Sequence, residues 1–320
     1  MKLQRWFASC LALGAMVGMA TTAQAVIIPT SFGVGADAEV REEAPTTNRG
    51  ASNEIASRII DNFPLGSASD GNDRNSLIYL KFDLTGQGLL NGATTSLRMT
   101  YRNTNLTPNR IRDTATPNFD FRTGMAFFGL HPDHAGNNWT EAGITYLTAP
   151  GLVPDFNNGT KDYDTVDPDA NGPLVAPLVP LGVELFTELG TQNRLPVGGE
   201  MLFSSAALDS FIGSALAKGK TTVTIVAGVV HDGKIPINDW KNFNYLFNPK
   251  EMTTLNTDPG YDSDTTNPNN PLGSPWSGAS NATDANGFSP FSPQLIIVPE
   301  PGGLALLGLG ALGLAARRRR

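Results

Sequence analysis

Cysteine is almost missing from this chain: Cys10 is the only one among 320 residues. It lies in a segment that reads as a leader, so the mature domain has neither a disulfide nor a thiol nucleophile. A domain of this size buries enough apolar surface to fold without such staples. Histidine is nearly as scarce, at three. His131-Pro132-Asp133-His134 carries metal-ligating atoms, but it lacks a helical i, i+4 frame and a matching second pair, so it reads as a solvated loop. No G-x-S-x-G elbow is present. Paired carboxylates are too common here to nominate a glycosidase pair. These absences leave no catalytic residue to name, and the chain reads as a non-enzyme. Charged residues make up only 17 %, while there are 34 glycines and 23 prolines. That balance suits an all-β protein rich in loops.

The two ends are patterned differently from the middle. Lys2 and Arg5 precede an apolar run from Cys10 to Ala20, which is too short to span a bilayer, and Ala23-Gln24-Ala25 follows. This order predicts a signal peptide over residues 1–25, cut by signal peptidase after Ala25. At the other end Pro299-Glu300-Pro301 and two glycines precede an apolar run over 304–316, and Arg317, Arg318, Arg319 and Arg320 close the chain. A run this short spans a membrane only if the arginines snorkel, and their charge places that end on the cytoplasmic side.

Between the ends, residues 26–298 read as one domain. Without Lys2, Arg5, Arg317–Arg320 and Glu300 it has 17 basic and 29 acidic residues, a formal charge of −12. So acidic a surface argues against nucleic acid as a partner. Strict alternation marks strands in Ala36-Asp37-Ala38-Glu39-Val40-Arg41, which reads as half-buried, and over 77–84, where Ile78, Leu80, Phe82 and Leu84 share a face. In 94–102, Thr95, Leu97, Met99 and Tyr101 are expected to face inward and Arg98, Thr100 and Arg102 outward. Further strands are expected over 54–60, within 119–130, and over 178–188, 200–204 and 222–230, the last buried on both faces. Residues 26–35 read as a lead-in, and Asn48-Arg49-Gly50 as a turn in which glycine supplies a positive φ. Leu208, Phe211, Ile212 and Leu216 are spaced for a helix over 205–218, with Ser204 or Ser205 as its cap and Gly219 beyond its end. The expected fold is an all-β jelly-roll β-sandwich with long loops and one short helix.

Two resemblances add to this reading. Asp37-Ala38-Glu39-Val40-Arg41, the Asn48-Arg49-Gly50 turn and the approach from Arg74 into Phe82-Asp83-Leu84 resemble the DNRLRE-type domain, the group that includes family 96 carbohydrate-binding modules. Later landmarks agree: Trp139-Thr140-Glu141 through Thr145-Tyr146 with Ala149-Pro150, Thr187-Glu188-Leu189, Lys250-Glu251 after an aromatic stretch, and Pro293-Gln294-Leu295. Tyr146 stands where the family usually has a second tryptophan. The resemblance implies a non-catalytic module that contacts an acidic extracellular polysaccharide such as alginate. The catalytic domain that usually accompanies such modules is missing from these residues. The order of Pro-Glu-Pro, short apolar helix and arginine tail over 299–320 resembles the PEP-CTERM sorting signal. It implies export in a Gram-negative bacterium, processing by an exosortase, and a place at the cell surface, outer membrane or extracellular matrix. Membrane contact would then come only through the C-terminal helix before processing.

Sugar binding needs exposed aromatic planes or, for carboxylated sugars, arginines. Arg98 and Arg102 on one outer face, and Trp276 in a loop, are the candidates; Trp139 reads as a packing residue. No cofactor is required by the sequence. A structural calcium is the one candidate, held by Asp162, Asp164, Asp167, Asp169 and Asn171. Their D-x-D-x-N-G run imitates the start of an EF-hand loop but has Leu178 where the bidentate glutamate belongs, so an EF-hand is excluded. The alternative functions are a purely structural surface or matrix protein and, more remotely, a polysaccharide-degrading enzyme.

Overall fold

The computed structural model describes residues 25–52, 54–59, 76–88, 93–104, 123–152, 178–185, 200–231, 243–251, 289 and 291–299. In chain order the strands are β1 (Val26–Pro29), β2 (Ala36–Arg41), β3 (Ile55–Ile59), β4 (Ser76–Asp83), β5 (Thr94–Thr104), β6 (Thr123–Leu130), β7 (Leu178–Leu185) and β8 (Glu200–Ser204). Helix α1 (Ala206–Ala217) follows, then β9 (Thr222–His231), β10 (Phe243–Phe247) and β11 (Gln294–Val298). All the pairings are antiparallel. One sheet runs β2-β4-β9-β6-β7 and the other β1-β11-β5-β8, with β10 and β3 joining them. The all-β sandwich expected from the alternation is therefore the fold.

Strand β5 belongs to both parts. Its residues 94–100 pair with β11 on one side and β8 on the other, while Tyr101, Asn103 and Thr104 pair with β10. The register shifts between Leu246 and Phe247, leaving Arg102 as the extra residue of a bulge. A bulge bends its strand and interrupts the two-residue alternation.

The core lies between the sheets. Ile78, Leu80 and Phe82 of β4, Val223 and Ile225 of β9, and Met125 and Phe127 of β6 meet Leu97 and Met99 of β5, Phe203 of β8, and Leu295 and Ile297 of β11. The rings of Phe127 and Phe203 stack with centroids 4.3 Å apart. Each such side chain taken out of water contributes about 1.5–3 kcal/mol before chain entropy is subtracted. Helix α1 adds Leu208, Phe211, Ile212 and Leu216 to this cluster. Ser205 caps it by accepting the amide of Leu208 at 3.0 Å, and Gly219 at φ 65° ends it.

The first sheet is covered on its other face as well. Ala36, Ala38 and Val40 of β2, Leu77 and Tyr79 of β4, Val226 of β9, and Ala126 and Phe128 of β6 pack under Trp139, Ile144, Tyr146, Ala149 and Leu152. These last five come from the segment 131–152, which lies over the sheet as a strap and contains a 3-10 turn (Ala135–Asn138). The strap explains why residues 223–229 of β9 are buried on both faces, as their β-branched run predicted.

Three expectations are corrected. All six residues of β2 are buried, not alternate ones, because its small residues lie under the strap while Asp37 and Glu39 share the core-side face with their partners Leu80 and Ile78. The lead-in 26–35 contains a strand, β1, recruited by pairing with β11. Gly50 is absent from the glycines with positive φ. A side chain there would place Cβ 2.4 Å from both Cγ and the carbonyl oxygen of Glu141, so close approach of the strap demands glycine.

Candidate functional site

The inward charges of β2 form a buried ionic seam at the edge of the sandwich. Arg41 donates through Nε to Glu39 Oε1 at 2.8 Å and through Nη1 to Glu43 Oε1 at 2.8 Å. Arg58 of β3 approaches Glu39 at 4.0 Å and donates to Glu54 at 3.1 Å. Glu39, only 1 % exposed, thus sits between two guanidiniums. Burial alone would pull Arg41 down, but Glu39 and Glu43 hold its pKa above the usual arginine value; Arg58 is pulled down by burial, which Glu39 only partly offsets.

A second knot ties three distant segments together. Asp37 accepts the Thr30 hydroxyl at 2.6 Å and the Lys250 amide at 3.0 Å. Burial, reinforced by the nearby charge of Glu251, pushes the Asp37 carboxyl up to about 8. The Lys250 ammonium lies 2.7 Å from Glu141 of the strap and also pairs with Glu251. Burial and the neighbouring Glu251 push Glu141 up to about 7. The strap is held further by Lys81 Nζ, which donates to the Trp139 carbonyl at 2.5 Å and lies 5.0 Å from its ring centroid. Trp139 Nε1 donates to Thr224 at 3.0 Å, the Tyr79 hydroxyl donates to the Pro150 carbonyl at 3.1 Å, and Asn48 donates to the carbonyls of Glu141 and Ile144. These contacts fasten layers, and Trp139, 8 % exposed, packs as expected.

Among the sequence-nominated binding residues, the one whose side chain is described, Arg98, lies away from this seam. Arg98 lies on the outer face of β5, between Leu202 of β8 and Gln294 of β11. It is partly exposed, reaches Glu200 at 3.4 Å and pairs with the amide oxygen of Gln294. Thr100, expected to face solvent, is buried. Alternation cannot be carried from Arg98 across the bulge to Arg102, whose side chain lies outside the described residues. Trp276 lies outside them too, as do Asp162, Asp164, Asp167, Asp169 and Asn171, and the tail from Glu300 to Arg320. Ala25 is exposed and Pro299 half-buried, both beside the β1–β11 pair.

The histidine loop is structural. His134 Nδ1 accepts the Gly136 amide at 3.0 Å and caps the 3-10 turn, and Asp133 pairs with Lys218 and Lys220, which hold it down at about 2. Among the described residues no group of three or more acids, histidines or cysteines could hold a metal. Nor is any described helix long and apolar enough to cross a membrane. Sequence reasoning missed the seam because alternation of charged and small residues is the ordinary signature of a strand with one wet face. The available signal was that the small face of β2, Ala36, Ala38 and Val40, offers little to bury alone.

The geometry defines a class first: an all-β sandwich of two antiparallel sheets, with buried ion pairs and a strap on one outer face. A comparison with protein families then matches residues 298–320 to the PEP-CTERM protein-sorting motif. The motif marks an exported protein, sorted through an exosortase in Gram-negative bacteria. No curated protein matches the chain.

Proposed function

We propose that this is a non-catalytic protein of the bacterial surface or extracellular matrix whose sandwich contacts an acidic polysaccharide. The observation that carries the reading is the join between a strand of the sandwich and a sorting motif: the motif match begins at Val298, the last residue of β11. The resemblance to DNRLRE-type domains supports the sugar contact, and Arg98 is the described group suited to it. Its partner Glu200 has a side chain 57 % exposed. An exposed pair of that kind is worth only about 0–1 kcal/mol, so a sugar carboxylate can displace it. The engagement of the buried acids and bases with one another supports the non-catalytic part. One observation favours a second reading, a purely structural surface protein: Arg98 is already satisfied by Glu200 and Gln294.

Retention of the mature domain on immobilised acidic and neutral polysaccharides, at two salt concentrations, tests the choice. Weak retention on the acidic polymer that falls with salt and with Arg98→Ala supports polysaccharide contact. No retention on any polymer puts the structural reading first. Repeating the run with EDTA tests whether the acid-rich segment around Asp167 supplies a calcium on which binding depends.

A further inference from the structure

We propose that β1 and β11 form a clasp that sets both ends of the mature chain. Leader removal and sorting then act side by side at one corner of the closed sandwich. The inference rests on the predicted cut after Ala25 and on the sorting motif. The register carries it: Val26 pairs with Ile297, Ile27 with Ile296, Ile28 with Leu295 and Pro29 with Gln294. Because the strands are antiparallel, the chain enters the fold at Val26 and leaves it at Val298 on the same corner. The far end of this ladder is closed by the Thr30 amide donating to the Pro293 carbonyl at 2.9 Å.

Strand β11 is also paired along its other edge, from Gln294 with Arg98 to Val298 with Thr94. Proteases that bind a substrate as an extended strand use backbone groups that β11 has already committed. Peeling it away would also expose Leu295 and Ile297, both fully buried, and uncover Ile28. The first peptide bond free of the ladder is therefore the one after Val298. At the other end, the bond before Val26 lies just outside β1.

Chain length keeps both flanking apolar runs close to this corner. Five residues separate the leader's apolar run, ending at Ala20, from Val26, and five separate Val298 from Leu304. Fully extended, either link reaches no more than about 20 Å. Before sorting, the sandwich hangs from the membrane by one short tether at this corner. Leader removal adds water across the Ala25–Val26 bond, leaving a free amine on Val26 beside β11. At the sorting cut the retained chain's acyl group passes to water or to an acceptor amine, and the released tail keeps a new amino terminus.

A disulfide across the register tests the clasp. Directly opposed residues of an antiparallel pair have Cα atoms about 4.5–5.5 Å apart, within disulfide range. Cys10 leaves with the leader, so Val26→Cys with Ile297→Cys forms its bridge without competition. The variant and the wild type are expressed in a host that carries the sorting enzyme, and intact masses are compared. The bridged variant is expected to lose residues beyond the sorting cut to within twofold of the wild type. The wild type is expected to begin at Val26 and end between residues 298 and 303. Tail loss from the wild type but not from the bridged form overturns the clasp alone, since β11 must then peel to be cut. A mature end inside 26–298 overturns it even if the variant fails to fold. Retention of the whole tail by the wild type overturns both the clasp and the sorting on which it rests.

Discussion

Glu39 and Arg41, two residues apart on β2, are joined by a hydrogen bond of 2.8 Å inside the edge of the sandwich, where Arg58 approaches the same carboxylate. The edge strand thus meets the core with a charge pair where an apolar side chain would be ordinary. Replacing Glu39 leaves Arg41 with Glu43 alone and Arg58 with Glu54 alone, so both guanidiniums lose part of their compensation. Glu39→Gln is expected to destabilise the domain by about 1–3 kcal/mol, measured by urea unfolding. Asp133→Asn, at an exposed pair with Lys218 and Lys220, is expected to leave the midpoint nearly unchanged.

The strap knot predicts an unusual response to pH. Asp37 and Glu141 have folded pKa values raised to about 8 and about 7, from 3.8 and 4.5. The folded state therefore binds more protons than the unfolded state between those values. Their contribution is fully present below about pH 4 and is lost as pH rises through 7 and 8. Thermal scans at low ionic strength are expected to show the melting temperature falling from pH 6 to pH 8.5. Asp37→Asn, which cannot ionise, is expected to flatten that fall. An unchanged slope in this variant would remove Asp37 as its source.

Gly50→Ala is expected to cost about 1–3 kcal/mol by overpacking against the strap. Trimming the neighbour with Glu141→Ala is not expected to restore the loss, because the backbone oxygen of Glu141 stands as close as its side chain, at 2.4 Å. Urea unfolding of the two single variants and the double variant measures this directly.

The sequence revealed strand positions better than surroundings. Alternation placed Ile78, Leu80 and Phe82 on one face, and the capping serine and following glycine bounded α1 to within a residue. Thr95, Leu97 and Met99 are buried as their period indicated. What failed was any inference about what lies over a face. Nothing near β2 in sequence announces that 131–152 covers it, since Asn48 and Glu141 are 93 residues apart. Arg98 was placed on the outer side of its strand, but its partners come from β8 and β11. A bulge at Arg102, set by pairing with β10, is equally invisible to a period-two count.

The sharing of β5 between the two parts of the fold has a mechanical meaning. Force applied at the C-terminal corner enters through Val298 and passes along β11. There it is carried in shear by the four pairs made with β1 and the five made with β5. From β5 it spreads at once to β8 and, beyond the bulge, to β10. Neighbouring ladders loaded in parallel must rupture together, so a domain held by this corner resists drag as one body and does not unzip strand by strand.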